Sequence, residues 1–389
     1  MDVKAFGGAY VAGIYEHPTR CASDLSLAQI YADVAKGALD DAGLTMADVD
    51  GIFCAGDAPG RGPLSLVDYL GLNVRHIDTT ETGGSSYLVH VNHAVQAIAA
   101  GKCTVALIVL AGRPLANKRG ARPWQSVEDP PEAQFETPYE PGILAAYAMC
   151  AKRHAYEYGT TSEQLAWIRV AASHHAQFNP HALLPNPVTV DDVLNSPIVA
   201  DPLHRMDCCI ISDGGGALVL VTEEIAKSLA RPRVRVLGGG EAIKHQSGGN
   251  VDLVRSAAVQ SGAAAFSQAR VAPSDIKYAS IYDSFTITVL ISLEDLGFCE
   301  KGKGGPFVAD GNLISGTGRL PFNTDGGGLC NNHPGNRGGM TKILEAVRQL
   351  RGEAHPRVQV KNCDLALAHG TGGSLGLRHG SATLILERE

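Results

Sequence analysis

The stretch Ser86-Tyr87-Leu88-Val89-His90-Val91-Asn92-His93-Ala94-Val95-Gln96-Ala97-Ile98-Ala99-Ala100 is closed by Gly101. After Lys102 and Cys103 comes Thr104-Val105-Ala106-Leu107-Ile108-Val109-Leu110. The first part reads as a helix stopped at a glycine. The second is an unbroken apolar run, suited to a strand buried on both faces. A helix leading through a short turn into such a strand is the grammar of an α/β protein, and the same alternation continues in both directions. Upstream, Ala9–Ile14 predicts a strand and Leu25–Ala42 a helix, with Ser23 or Asp24 as N-cap and Gly43 as its stop. Val49–Cys54 predicts the next strand. Downstream, Val234–Leu237, Ala279–Tyr282 and Ala382–Leu386 predict strands, and Val251–Ala269, Ile287–Leu296 and Met340–Leu350 predict helices.

The second half repeats the order of the first. Asp41-Ala42-Gly43-Leu44-Thr45-Met46-Ala47-Asp48-Val49 matches Gln268-Ala269-Arg270-Val271-Ala272-Pro273-Ser274-Asp275-Ile276 in its apolar pattern and in the Asp at the capping position. A helix precedes each copy and a strand follows it. A repeat about 230 residues long is too long for a solenoid and suggests two like domains packed together. The expected division is 1–232 and 233–389, with a loop or insert region at 113–205. Within it, Arg113–Gly142 is rich in proline and charge, lacks periodicity, and carries Lys118, Arg119 and Arg122, a basic cluster able to meet phosphates.

Composition narrows the function classes. The 389 residues are 44% hydrophobic and 19% charged, with a formal net charge of −7. That is apolar enough for a large core, and no basic excess draws the chain to nucleic acid or to an anionic membrane. No signal-peptide pattern or membrane-length apolar run is visible. The nine cysteines lack metal-ligand clustering and predict reduced thiols in a cytoplasmic protein with no bound metal. Walker A, Rossmann, Gly-x-Ser-x-Gly and zinc-protease patterns are absent.

Three segments can carry chemistry. Thr79-Thr80-Glu81-Thr82-Gly83-Gly84-Ser85-Ser86 places small residues and backbone N–H groups at the start of the Ser86 helix, where an anion or a developing oxyanion is favoured. Ser85 and Ser86 also qualify as plain N-caps. Gly326-Gly327-Gly328-Leu329-Cys330-Asn331-Asn332-His333-Pro334-Gly335 fixes a histidine in a glycine-rich loop, poised as a general base or a hydrogen-bond donor to a carbonyl. Cys330 reads as a small core residue. Leu367-Ala368-His369-Gly370-Thr371-Gly372-Gly373-Ser374 sets His369 at a strand end, where α/β folds bind ligands. His90, His93, His174 and His175 lie on helices without a metal-like partner set and read as structural or exposed.

Together these segments resemble the thiolase superfamily, in particular its sterol-carrier-protein-x or lipid-transfer-protein branch, from about Ala9 to Leu386. Ile210-Ile211-Ser212-Asp213-Gly214-Gly215-Gly216-Ala217 resembles the Asp-Gly-Ala-Ala stretch that ends the family's first half. Tyr282-Asp283-Ser284-Phe285, followed by Leu293-Glu294-Asp295-Leu296-Gly297, resembles the branch's His-Asp-Cys-Phe and Glu-x-Leu-Gly. The loop ending in His333-Pro334 resembles the family's Gly-His-Pro, with Asn332 in place of the glycine. The departures carry the functional information. Counting back from Ile98 and Gly101 by the family's spacing sets Gly84 where the nucleophilic cysteine belongs, and no cysteine lies between Cys54 and Cys103. The second family cysteine falls near Gly370, beside His369.

The resemblance implies a thiolase-like fold, with two pseudo-duplicated α/β halves in a five-layer arrangement, and a homodimer formed through the Thr104–Leu110 strand. Without a nucleophile no covalent acyl-enzyme forms. The expected activity is therefore non-covalent retro-aldol cleavage of a β-hydroxyacyl-CoA, in lipid degradation. Acyl transfer of the thiolase or synthase type, using Ser85 or Cys330, is the alternative; an acyl-CoA-binding scaffold is the alternative from another class. His333, Tyr282 and His369 are the expected catalytic residues. Gly84, Ser85, Ser86 and Gly372 are expected to line the thioester pocket, and Lys118, Arg119 and Arg122 to meet the CoA phosphates. The substrate is a CoA thioester and no tightly bound cofactor is expected. The implied partner is a small zinc-ribbon/OB-fold acyl-CoA-binding protein.

Overall fold

The computed structural model describes residues 8–117, 142–244, 251–335 and 338–389. Nine strands form a mixed sheet: β1 (Ala9–Glu16), β2 (Gly51–Phe53), β3 (His76–Asp78), β4 (Val105–Gly112), β7 (Gly214–Thr222), β8 (Val234–Lys244), β9 (Tyr278–Ile281), β10 (Leu365–Gly373) and β11 (His379–Arg388). Their order is β3-β2-β4-β7-β1-β8-β11-β10-β9, and β5 (Ile198–Ala200) and β6 (Leu203–His204) make a separate hairpin. The two halves meet where β1 and β8 pair antiparallel, Tyr10 opposite Arg235 and Val11 opposite Val234.

Three apolar clusters divide the chain into five layers. One lies between the halves, around the helices Ser86–Ala99 and Gly339–Arg351, and takes Ile108 and Leu220 from one half with Ala366 and Leu384 from the other. A second joins the outer face of the first half (Leu107, Val219) to the helix Leu27–Ala42. The third joins the outer face of the second half (Leu367, Ile385) to the helices Ile143–Tyr158, Ser162–Ala176, Ala258–Ala269 and Thr286–Asp295. A helix packed on both sides needs apolar residues all round. The Ser86 helix has them, with Tyr87, Leu88, Val91 and Val95 essentially sealed. Each such side chain contributes roughly 1.5–3 kcal/mol.

The repeat seen in the sequence is a structural one. Gly43 (φ 73°) and Arg270 (φ 58°) end equivalent helices in the left-handed region. In the two following 3-10 turns Asp48 and Asp275 accept the backbone N–H of Thr45 and of Ala272, each at 2.8 Å. Gly13 on β1 and Gly238 on β8 are matched as well. A Cβ on the first would strike the Ala38 carbonyl, and one on the second the Ala265 carbonyl. Both strands thus let the helix that follows them lie directly on the backbone.

Several expectations change. The first helix is capped by Ser26, in a reciprocal box with Gln29, so Ser23, Asp24 and Leu25 precede it. The Val251 helix begins only at Ala258, because Asp295 takes both the N–H and the hydroxyl of Ser256 and holds the entry off the helix. The Thr104–Leu110 strand does not present an interface. As β4 it is an inner strand, hydrogen-bonded on one side to β2 at Ala106–Ile108 and on the other to β7, and is not a sheet edge. The open edge of that half is β3. Among the described residues no helix is long and apolar enough to cross a membrane.

Candidate active site

β9 runs parallel to β10, and the ladder extends one step further as the Tyr282 N–H donates to the His369 carbonyl at 2.9 Å. Strand alternation sends Tyr278 and Tyr282 into the central layer and Ala279 and Ile281 outward. His333 arrives from the other direction, on the loop after the short helix Gly327–Cys330. The phenol of Tyr282 and Nε2 of His333 lie 2.9 Å apart, their rings edge to face at 5.4 Å between centroids. Both are buried, at 4% and 8% exposure.

Burial sets the protonation of this pair. Desolvation pulls the His333 imidazole down to about 4; Asp283 and Lys342, beside it with opposite charges, act in opposite directions. Desolvation pushes the Tyr282 phenol well above its ordinary value, while the Gly338 N–H donates to it. At neutral pH the site therefore holds an uncharged imidazole and an uncharged phenol. With its proton on Nδ1, the imidazole accepts from the phenol through Nε2.

The loop is held from beneath. Asp283 accepts the N–H of Gly328 (2.8 Å) and of Leu329 (3.1 Å) and pairs with Lys342 at 2.9 Å, both side chains sealed. The His333 N–H donates to Ser212 Oγ at 2.8 Å, and that hydroxyl donates to Asn332 Oδ1 at 2.8 Å.

Gly84 faces the pair. A Cβ built on it would stand 2.5 Å from Tyr282 Cε2 and 2.5 Å from the Thr371 carbonyl oxygen. Gly372 packs on the same turn, where a Cβ would run into the Thr82 carbonyl. Ser85 donates to the Thr82 carbonyl at 2.8 Å, and Ser86 Oγ accepts the Thr82 N–H at 2.8 Å. Both hydroxyls are thus engaged within the turn, and neither caps the helix.

The structure brings Tyr282, His333, Gly84, Ser85 and Gly372 together. It places the His369 ring apart from them. β10 continues through this residue to Gly373, and cross-strand pairing sets His369 opposite Thr383 on the outer face, Nδ1 to Oγ1 at 2.9 Å. Lys118, Arg119 and Arg122 lie outside the described residues. Cys330 is a buried core thiol, pushed up to about 12 by desolvation. His174 and His175 lie on the Ser162 helix, and His175 accepts the Ser315 N–H at 2.9 Å. His93 bridges Asp78 (2.6 Å) and Glu241 (3.3 Å). A cavity of about 420 Å³ opens elsewhere, lined by Lys152, Tyr156 and Thr161 among others.

Sequence reasoning missed Tyr147, Cys209 and Glu16. Tyr147 is a buried phenol stacked on Phe285 at 4.2 Å, and Cys209 shares the electrostatic surroundings of Tyr282. Glu16 anchors the histidine loop through Asn331 and Asn332. Tyr147 follows the aperiodic 113–142 stretch and Glu16 ends a strand, and neither position has a local pattern that marks it.

Residues 240–388 match the family model described as "Thiolase C-terminal domain-like". The chain is 32% identical over 373 residues to the acetyl-CoA acetyltransferase of Methanothermobacter thermautotrophicus, covering 91% of this chain and 93% of that protein. The chain belongs to the thiolase superfamily. Sterol carrier protein 2 of Oryctolagus cuniculus is 30% identical over 237 residues, covering 58% of this chain and 42% of that protein. A steroid side-chain-cleaving aldolase of Thermomonospora curvata is 33% identical over 363 residues, covering 89% of this chain and 91% of that protein. The solved Ltp2-ChsH2(DUF35) aldolase superposes with a TM-score of 0.88 at 31% identity, covering 99% of this chain and 98% of that one. This thiolase-superfamily chain thus has near relatives named for two chemistries, acyl transfer and aldol cleavage.

Proposed function

We propose that this thiolase-superfamily enzyme cleaves a carbon–carbon bond of an acyl-CoA thioester by a retro-aldol reaction on a β-hydroxyacyl-CoA. The observation that carries the reading is the buried, uncharged Tyr282–His333 pair at 2.9 Å, with the phenol ring packed into the space beside Gly84. As the Cα–Cβ bond breaks, the phenol oxygen takes the proton of the β-hydroxyl and passes its own to His333 Nε2. The β-carbon leaves as a ketone or aldehyde. The bonding pair becomes the thioester enolate, stabilised at the N-terminus of the Ser86 helix, and the proton returns along the same path to Cα. No external reagent is consumed, and the neutral imidazole is in the state the first step needs. The aldolase relative and the aldolase structure support this reading.

The acyltransferase relative supports the second reading, acyl transfer through a covalent intermediate. The thiols at hand speak against it: burial keeps Cys330 and Cys209 protonated, and Ser85 is bound to the turn without an adjacent base.

The same reading covers partners and setting. The DUF35 protein in the similar aldolase complex supports a small zinc-ribbon/OB-fold acyl-CoA-binding partner for this chain. The homodimer in this reading pairs through the open edge strand β3, where Ile77 is 45% exposed, rather than through β4. The setting proposed is cytoplasmic, with Lys118, Arg119 and Arg122 meeting the CoA phosphates. The test is incubation of the purified protein, with and without such a partner, with a β-hydroxyacyl-CoA, followed by mass spectrometry of both products. Equimolar carbonyl compound and shortened acyl-CoA, with the protein mass unchanged, is the expected result. A protein carrying one acyl group would transfer it to the second reading.

A further inference from the structure

The histidine loop departs from the family pattern at one residue, Asn332 in place of glycine, and that side chain bridges two halves of the molecule. Its Oδ1 accepts the Ser212 hydroxyl at 2.8 Å, and the same hydroxyl accepts the His333 backbone N–H at 2.8 Å. Its Nδ2 donates to Glu16 Oε1 at 3.1 Å. Glu16, at the end of β1, is in turn clamped by Arg20 (2.8 Å) and Arg348 (3.0 Å), and Asn331 reaches the same carboxylate at 3.3 Å. Burial opposes charge on Glu16, but the two guanidiniums overcome it and hold the carboxyl at about 2. The chain Glu16–Asn332–Ser212–His333 therefore ends on a fixed anion; Asn332, Ser212 and His333 are buried, and the Glu16 side chain is 7% exposed. A glycine at 332 would have neither bond.

We propose that Asn332 and Glu16 are positioning residues that splint His333 against Tyr282, a device this chain has where its family carries glycine. Neither touches the reacting atoms. Their effect is to keep Nε2 within hydrogen-bond reach of the phenol, and displacement of a reacting group by about 1 Å costs on the order of a hundredfold in rate. Burial is what holds the His333 titration low, so a loop loosened enough to admit water would raise it. The charged and titratable groups around His333 are Tyr282, Asp283 and Lys342 on one side and Glu16, Arg20 and Arg348 behind the loop.

This inference rests on the aldolase reading for its kinetic arm, so the test has a second arm that needs no turnover. Asn332→Gly restores the family residue. We expect kcat to fall about 10- to 100-fold with KM within about threefold. In NMR of ring-labelled histidine, assigned with His333→Gln, we expect the His333 titration to move up from about 4 towards 6.5. Glu16→Gln should do the same. Unchanged titration and kcat in Asn332→Gly would overturn the proposal. So would a rate loss with an unmoved His333 titration in a protein with native melting temperature. If no variant and no wild type turned over substrate, the aldolase reading would fail, and the histidine titration would still decide the splint.

Discussion

The ring of Tyr282 stands where a side chain at position 84 would have to go, 2.5 Å from the Cβ that Gly84 lacks. A side chain at 84 and the Tyr282 ring compete for one space. A thiol placed at 84 is therefore not expected to give a thiolase. Gly84→Cys is expected to overpack the start of the Ser86 helix at a cost of about 1–3 kcal/mol. Thermal melting reads that cost. Intact-mass measurement after incubation with acetyl-CoA should find no acyl group on the variant; a stable variant that gains one would overturn the packing argument.

Tyr282→Phe leaves the ring in place and removes only the hydroxyl. His333 Nε2 then loses its partner in a sealed site, as does the Gly338 N–H. Proton transfer by a positioned acid or base contributes typically 10²–10⁴-fold, and the expected loss of turnover lies in that range. The accompanying loss of stability should be about 1–3 kcal/mol, the cost of a buried unsatisfied group. Steady-state rates and denaturant midpoints on the same preparation separate the two. A variant that keeps more than a tenth of the activity would remove Tyr282 from proton transfer.

Acid should destabilise the fold early. Burial lowers His90 and His333 to about 4 and His175, His369 and His379 to about 3. In the unfolded chain each binds a proton near 6.5. Between those values the unfolded state holds more protons, so stability present above about 6.5 is lost as the pH falls towards 4 and 3. At pH 5 the loss is of order 2 kcal/mol for each histidine. His93 works the other way. Hydrogen bonds to Asp78 and then Glu241 raise it to about 10, so its contribution is present below 6.5 and fades as the pH rises through 10. Urea midpoints at pH 7 and pH 5 check the balance; equal midpoints would mean that the buried imidazoles are not neutral and dry.

The fold was largely legible because burial on two faces leaves a continuous record. Thr104–Leu110 could hardly be anything but an inner strand, and the Asp41–Val49 echo marked the duplication, since helix stop and turn cap are local chemistry. What failed was what depends on neighbours distant in the chain. The apolar character of β4 reports burial but not what buries it, and the strands on either side turned out to be its own sheet. The side on which His369 lies depends on where β10 ends, and the glycines after it suggested an earlier end than the pairing with β11 allows. Tyr282 and His333 were found from a resemblance and from a loop, each alone. That these two residues, 51 apart in the chain, meet is a fact of β9 and the Asp283–Lys342 anchor. Glu16 has no local signature because its partners come from Arg20, the histidine loop and a helix more than 300 residues away.

The open edge of the first half leads to the last prediction. β3 pairs with β2 on one side only, and its central residue, Ile77, points an apolar side chain into solvent. An unpaired edge with an exposed apolar residue invites a second strand, and proteins that must stay monomeric usually blunt such edges with charge. Ile77→Lys places a charge in the middle of that edge, where two copies of the strand would bring like charges together. Light scattering coupled to size exclusion should find a dimer for the natural protein and a monomer for the variant, with unchanged far-ultraviolet circular dichroism. A variant that remains dimeric would move the interface away from β3, and a natural protein that is monomeric at tens of micromolar would remove the homodimer altogether.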